Sequence, residues 1–546
     1  MSSLVIVLLM FLSHEGHADT TRPFTIGTLQ DPKSVLPLQQ QLGESNQLRR
    51  MLMPPILTVQ SDGRVTCHLC KENPSLDLIR NEKTGETELA VNLVLKKKLV
   101  WGDGEKITRE DVKFTLEYMA LANYTQSPKP ILPIRIIEFD KDQENKMRLV
   151  LRHKRSDSAQ FFSISLLPKH KEQQIKAIAN QNSDSSALWS TLQDPGFYYG
   201  PYRMSRAQPD SFLLVHNGKN EWEGSPSEDL IIRFFPGLKE LGNAINQKEL
   251  DQTLTKELSW SQYKELLTIS PQLSEQYEAD GSPSYTQELL LLNLRSPLLV
   301  NPQLRQALFH SVDRDSLNKQ SFRNLATISE GMISPAIMLR MNEKKVDGFN
   351  TKLSSYLLEQ SGWHLKPDGM RYGDGQQKLS LTLTCTEARL KNDWFNLVQS
   401  DFKKIGIELK LDLVPETDYL RQTLAHRRFK DLACMRWTIP PLSVPMQLVH
   451  SLAVPSNEND FVGQNYSGWE QPIVNRILEN IMRENDVIHA LRLYVRLEKQ
   501  FQSEVPAIPL VYLPQITLIR KVGPDSNTRD IQKNLAIYGE NQKRKL

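Results

Sequence analysis

The stretch 379–413, LSLTLTCTEARLKNDWFNLVQSDFKKIGIELKLDL, decides how this chain folds. Leu379, Leu381, Leu383 and Cys385 alternate with Ser380, Thr382 and Thr384, the period of two that gives a strand one apolar and one polar face. Trp394, Leu397, Val398, Phe402 and Ile405 then share one helical stripe, and Gly406 stands where a left-handed residue ends the helix. Ile407, Leu409, Leu411 and Leu413 restore the alternation against Glu408, Lys410 and Asp412. Strand, helix and strand in this order predict a βαβ unit whose two strands are parallel through a right-handed crossover. A second helix over about 418–426 leads to a third strand ending at Met435-Arg436-Trp437, which completes an α/β lobe. If the first and third strands are neighbours, Cys385 and Cys434 come within disulfide reach, although nothing in the spacing requires the bond.

Similar units lie to either side. Leu89, Val91, Leu93 and Leu95 repeat the strand pattern, as do Met147, Leu149 and Leu151. Between them come a turn at Asp103-Gly104, Thr108 and Asp111 at capping-box spacing, and a helical stripe of Val112, Leu116, Met119 and Ala120. Asn301-Pro302 reads as a cap followed by proline at the first helical position. Two more helices are expected at 473–483 and 486–501. The apolar segment VPAIPLVY (505–512) then predicts a strand whose prolines place it at a sheet edge or a strand start.

At 546 residues, and with domains of roughly 100–200 residues, about three units are expected. The composition, 39% hydrophobic and 24% charged, is that of a soluble globular protein. Lys+Arg 67 against Asp+Glu 64 leaves a net charge of +3, which points to neither nucleic acid nor a membrane surface as a partner. The apolar run LVIVLLMFL (4–12) is followed by polar SHEGHADT, with Gly16 and Ala18 at the small-residue positions of a signal-peptidase site. A signal peptide over residues 1–18 is therefore expected, the run being about half of the roughly 20 residues that span a bilayer. Without a lipid-acceptor cysteine before Cys67, a free periplasmic protein is expected. Cys67 and Cys70 form C-x-x-C, open to a local disulfide, two ordinary thiols, or redox or metal chemistry.

Enzymatic constellations find no support. G-x-S-x-G and H-E-x-x-H are absent, and His14-Glu15-Gly16-His17 has the wrong spacing inside the leader. Ser316-Leu317-Asn318-Lys319 with Lys83-Thr84-Gly85 pairs two elements of penicillin-binding enzymes in the reverse of their order. No catalytic residue, metal site or cofactor is expected; a secreted serine hydrolase acting through Ser316 is the remote alternative.

Several segments, taken in order, resemble the family 5 extracellular solute-binding proteins of ABC importers, the peptide and nickel binding class. Trp101-Gly102-Asp103-Gly104 with Ile107 to Phe114 is similar to that family's W-x-D-G…T-A-E-D-V-x-F signature. Gly200-Pro201-Tyr202 resembles its G-P-Y. Asn293, Asn301-Pro302, Leu304 to Leu308 and Asp313-Arg314 resemble its N…V-R-Q-A-L…I-D-R run. Leu357-Leu358, Gly362-Trp363 and Asp368-Gly369 match L-L-x-x-A-G-W…D-G, and Val505 to Tyr512 matches V-P-x-I-P-L-Y. The resemblance spans nearly the whole mature chain. It implies an α/β, two-lobed periplasmic binding protein fold of class II with an extra subdomain in the first lobe. Lobe I would comprise 19–64, 196–288 and 505–546, the subdomain 65–195 and lobe II 289–504, with hinge crossings near 288 and 504.

The function implied is capture of a peptide or related small solute between the lobes by a monomer, and delivery to the importer's permease. A sensory or orphan receptor of the same fold is the alternative. Trp437 resembles the tryptophan of the family's G-W-x-x-D element, whose aspartate holds the ammonium group of peptides; here Arg436 stands at the glycine position and Pro440 at the aspartate. Arg436 is read either as a partner for an anionic ligand group or as a surface ion pair or stacked arginine. Glu44, Ser45 and Asn46 resemble a ligand-facing loop, with Glu44 a candidate for the missing acid, and Tyr466 aligns with another cleft-facing segment.

Overall fold

The structure, a computed structural model, describes residues 23–521 apart from 36–46, 60–64, 82–84, 86, 127–133, 152–163, 181–184, 221, 223–227, 334–336, 339–340, 343–347, 392–393, 441–442 and 485. Its frame is one sheet of twelve strands. In chain order these are β1 (Phe24–Thr28), β2 (Tyr202–Ala207), β3 (Ser211–His216), β4 (Leu230–Phe234), β5 (Gln252–Thr253), β6 (Leu258–Ser259), β7 (Tyr277–Leu292), β8 (Thr327–Ile328), β9 (Ser380–Cys385), β10 (Glu408–Leu413), β11 (Leu432–Thr438) and β12 (Ala507–Arg520). Across the sheet the order is β10-β9-β11-β7-β12-β5-β1-β4-β3-β2, with β6 and β8 also pairing with β12.

Two strands hold the lobes together. β7 and β12, of 16 and 14 residues, run antiparallel through the middle of the sheet. One half of the pair is flanked by β5 and the other by β11. Their register shifts twice at the centre, between Pro283 and Gln287 and between Glu288 and Leu289. Pro283 lies opposite Pro514, and Pro509 sits beside the second shift. Neither Pro283 nor Pro514 has a backbone N–H, so the ladder is weakened where the two lobes meet. Of the two places its prolines were expected to mark, Pro506 stands at the strand start, directly before Ala507, but the strand is central and not at an edge, because Pro509 and Pro514 fall at the irregularities rather than within a regular ladder.

The predicted βαβ unit is present. β9 pairs in parallel with β10 on one side and β11 on the other, and Trp394–Lys404 forms the intervening helix, with Gly406 at φ +84. Because β9 and β11 are adjacent, Cys385 and Cys434 are joined, with their Cα atoms 5.3 Å apart. Cys67 and Cys70 are joined as well. The helix expected over 418–426 is instead a short turn at Glu416–Asp418 continuing into a wide π-type turn, Tyr419–Leu424. The buried Tyr419 hydroxyl there donates to the Cys434 and Thr384 carbonyls, which ties the turn to the ends of the strands.

A separate four-stranded antiparallel sheet spans Ser75–Arg80, Thr87–Val94, Ile134–Phe139 and Lys146–Leu151. Trp101 is fully buried beside it in the first lobe's core, edge-on to Tyr199 at 5.1 Å. In the second lobe, buried arginines bind free backbone carbonyls. Arg305 donates to the Leu299, Val300 and Glu504 carbonyls. Arg314 donates to those of Phe309, Val312, Ser329 and Pro509, the last on crossing strand β12. These contacts are the physical content of the L-R-Q-A-L and D-R motifs: a guanidinium satisfies several orphaned acceptors at once.

The Cys385–Cys434 link closes a loop of 49 residues in sequence. Replacing both cysteines by serine is expected to cost about 2–4 kcal/mol of stability. Thermal denaturation of the second lobe's transition measures it, and an unchanged midpoint would remove the cross-link as a stabilising element.

Candidate functional site: the cleft between the lobes

Strand direction locates the cleft. β11 is antiparallel to β7, which runs away from the hinge into the second lobe, so β11 and its parallel partners β9 and β10 point their carboxyl ends back toward the hinge. In the first lobe β5 is antiparallel to β12, and β1 and β4 are parallel to β5, so their carboxyl ends also face the hinge. The two sets of strand ends thus confront each other across one crevice, the place where open α/β sheets bind ligands.

On the second lobe this rim carries a charged cluster. Glu288 of β7 is fully buried and opposite Arg436 of β11 in the ladder; its Oε2 accepts from the Arg436 Nε at 2.9 Å. The other oxygen, Oε1, is buried without a hydrogen-bond partner. Burial pushes the Glu288 carboxyl above the usual carboxylate range, against the pull of Arg436 and Arg389. Arg436 keeps 38% of its side chain exposed. Arg389, beyond the end of β9, lies over the Tyr419 ring at 5.2 Å and is 4.0 Å from Glu416, too far for a hydrogen bond. Its Nε and Nη1 are buried without an acceptor. The hydroxyls of Thr286 and Thr438 meet at 2.9 Å beside this cluster.

The first lobe's rim carries a carboxylate with which, among the described residues, no Lys, Arg or His pairs. Glu257 is half-buried where β1 ends; its Oε1 accepts from the Thr28 hydroxyl at 3.0 Å and the Leu29 N–H at 2.6 Å. Burial holds its carboxyl above the ordinary range, against the pull of these donors.

On the opposite face of β7 a second buried acid braces the hinge. Glu498 accepts from the Met332 and Ile333 N–H groups at 3.0 and 2.9 Å and from the Gln502 amide at 2.9 Å. The loop it holds is bonded to both crossing strands: Gln287 Nε2 donates to the Gly331 carbonyl and the Tyr512 hydroxyl to that of Ile333. Gly331 is required here, since a Cβ would stand 1.6 Å from the Glu498 carboxylate.

Of the residues singled out in the sequence, Arg436 lies on the rim. Trp437 points to the other face, as alternation along a strand requires; it is 1% exposed, edge-on to Phe501 at 6.2 Å, with its indole N–H unpartnered. Tyr466 is buried in the same core, and its carbonyl accepts from Arg427. Glu44, Ser45 and Asn46 fall outside the described residues. Glu288, Arg389 and Glu257 belong to no motif. Only Glu288 leaves a trace in the sequence, as a lone charge opening the apolar run Leu289–Leu292.

Two lobes on a shared pair of crossing strands, with a polar crevice between facing strand ends, define a class II periplasmic binding protein. The family model described as "Bacterial extracellular solute-binding proteins, family 5 Middle" matches residues 73–459. The chain belongs to this family, the periplasmic receptors that deliver a solute to the permease of an ABC importer. It is 21% identical over 448 residues to the oligopeptide-binding protein AppA of Bacillus subtilis, covering 81% of this chain and 79% of that one. A di/tripeptide-binding protein of Pseudomonas aeruginosa is 21% identical over 69% of this chain and 66% of its own. Among solved structures, a substrate-binding protein of an ABC transporter from Sinorhizobium meliloti superposes with a TM-score of 0.67 at 17% identity, over 93% of this chain and 97% of that one. The unliganded, open murein tripeptide binding protein MppA gives 0.67 at 16% identity, over 93% and 95%.

Burial pushes the Glu498 carboxyl up to about 7 from 4.5. The folded state therefore binds more protons than the unfolded state between these values, so this group's contribution to stability falls as pH rises through that window. Melting temperatures from pH 5 to pH 8 should fall less in Glu498→Gln than in the parent; parallel curves would show that Glu498 does not titrate there.

Proposed function

We propose that the solute is a peptide or related small molecule whose anionic group docks on Arg436 and Arg389. The observation that carries this reading is the pair of guanidiniums at the second lobe's strand ends. Arg389 has buried N–H donors with no acceptor. Arg436 spends only its Nε on Glu288 among the described residues. Unfilled, partly desolvated guanidinium donors favour a planar carboxylate, which takes two N–H groups at once. The names of AppA and of the di/tripeptide-binding relative support a peptide-like solute.

In this reading residues 1–18 are a signal peptide and the mature chain works as a monomer free in the periplasm. Lobe I comprises 19–64, 196–288 and 505–546, the extra subdomain 65–195 and lobe II 289–504. Trp437 and Tyr466 back the ligand wall, and Glu44, Ser45 and Asn46 face it from the first lobe. Closure about the crossing strands excludes water, strengthens the ion pair with the solute and presents one composite surface to the permease.

Native mass spectrometry of protein purified without denaturation should show a mass shift fitting a peptide mixture; stoichiometric nickel or a single sugar would sink the reading. Arg436→Ala should bind the released species about 10–100-fold more weakly. Unchanged affinity, measured by tryptophan fluorescence, would move the anionic group elsewhere.

A further inference from the structure

We propose that Glu498 is the positioning residue of the hinge and ties its bending to proton uptake. Ionised, the carboxylate clamps the 331–333 loop onto the two crossing strands; protonated, it slackens the clamp and the lobes bend more freely.

The clamp sits at the level where the ladder is weakest. Gln287 of β7 and Tyr512 of β12 face each other between the two register shifts. Both side chains reach one loop: Gln287 Nε2 donates to the Gly331 carbonyl at 2.9 Å, and the Tyr512 hydroxyl donates to that of Ile333 at 3.1 Å. Ser329 adds its N–H to the Leu510 carbonyl and its hydroxyl to the Gly331 carbonyl. From the second lobe's side, Glu498 Oε2 alone accepts from both Met332 and Ile333 N–H groups, while Oε1 accepts from Gln502. Gly331 lets the loop backbone close directly on the carboxylate, where a Cβ would collide with it. One carboxylate on a helix of the second lobe thus holds the segment that grips both crossing strands.

Hydrogen bonds to an ionised acceptor are roughly twice as strong as those to a neutral one, so the clamp depends on charge. Among the described residues no Lys, Arg or His pairs with Glu498. The ionisable groups on the surrounding elements have other roles. Tyr512 of β12 is kept protonated by burial, and Glu288 of β7 lies on the opposite face with Arg436. The loop carries Glu330, and the helix of Glu498 itself carries Tyr494, Lys499 and His489, the last paired with Glu484. Arg314 is spent on four carbonyls; helix Pro302–Ser311 brings Arg305, paired with Glu504, and His310, edge-on to Phe309. Helix Pro472–Arg483 buries only Val474, Ile477, Leu478 and Ile481.

Bending between Gln287 and Tyr512 shifts the loop and lengthens its bonds to Oε2, while the acid, 1% exposed, stays in the core. A buried carboxylate that loses donors binds a proton more tightly, so acid favours the bent arrangement. With the carboxyl raised to about 7, this coupling operates between pH 5 and pH 8. Its sign is opposite to that of global unfolding, where Glu498 reaches water and releases its proton. Through this one group, acid stabilises the fold and loosens the hinge.

The test uses the full chain without a solute. Hydrogen exchange of the Met332 and Ile333 N–H groups, expressed as protection relative to a free peptide, should fall about tenfold from pH 8 to pH 5. Spin labels on Lys239→Cys and Lys410→Cys, exposed positions in the first and second lobes, should show a broader inter-lobe distance distribution in acid. Glu498→Gln, which keeps the shape without the charge, should give the acid values of both at every pH. Protection that stays flat or rises toward acid in the parent would overturn the proposal, whatever the variant does. So would a pH dependence that survives in Glu498→Gln, or a loosened loop with unchanged inter-lobe distances. Melting temperatures of parent and variant should agree within a few degrees at pH 5, where both are neutral, which separates a lost clamp from lost folding.

Discussion

Everything in this molecule depends on the antiparallel pairing of β7 with β12. Both strands pass from one lobe into the other, so the lobes share a backbone hydrogen-bond ladder instead of hanging on a loose linker. At its centre that ladder is deliberately poor: Pro283 faces Pro514 with no N–H on either side, and the register slips on both flanks. A continuous sheet resists shear and separation, while missing bonds at one level permit bending there. Bending at that level would open and close the crevice.

The same pairing fixes what lines the crevice. Since β11 and β5 are each antiparallel to a crossing strand, every strand parallel to them must end at the hinge. Polar groups at the strand ends of both lobes are brought face to face from chain positions more than 400 residues apart, as with Thr28 and Arg436. Behind them the second lobe is braced by groups whose charge is buried. Glu498 grips the 331–333 backbone, and Arg314 collects four carbonyls, including that of Pro509 in the hinge itself. Groups of this kind are costly to bury and costly to remove, which makes them rigid supports beside a moving joint.

Electrostatics across the crevice are asymmetric. The second lobe presents guanidiniums with unfilled donors, and the first presents a carboxylate that accepts hydrogen bonds and, among the described residues, pairs with no cation. Closure on a solute would remove water from both rims, and that desolvation would strengthen each polar contact.

Sequence by itself determined the local units and the family. Alternation along 379–385 and 407–413 settled two parallel strands, Gly406 settled where the helix between them stops, and the ordered motifs identified a two-lobed binding protein. Motifs were legible because local propensity and capping depend on neighbours in the chain. The central place of the crossing strand at 507–520 was not, because a proline-marked segment becomes central only when its partner supplies matching irregularities 231 residues away, as Pro283 does for Pro514. Glu288, Arg389 and Glu257 were equally silent, each an ordinary charge in sequence. Tertiary structure alone decided that one is buried against Arg436, that another keeps N–H groups without an acceptor, and that the third, among the described residues, pairs with no cation. Burial and the absence of a partner are properties of the space around a side chain, and that space is built by strands that meet only in the fold.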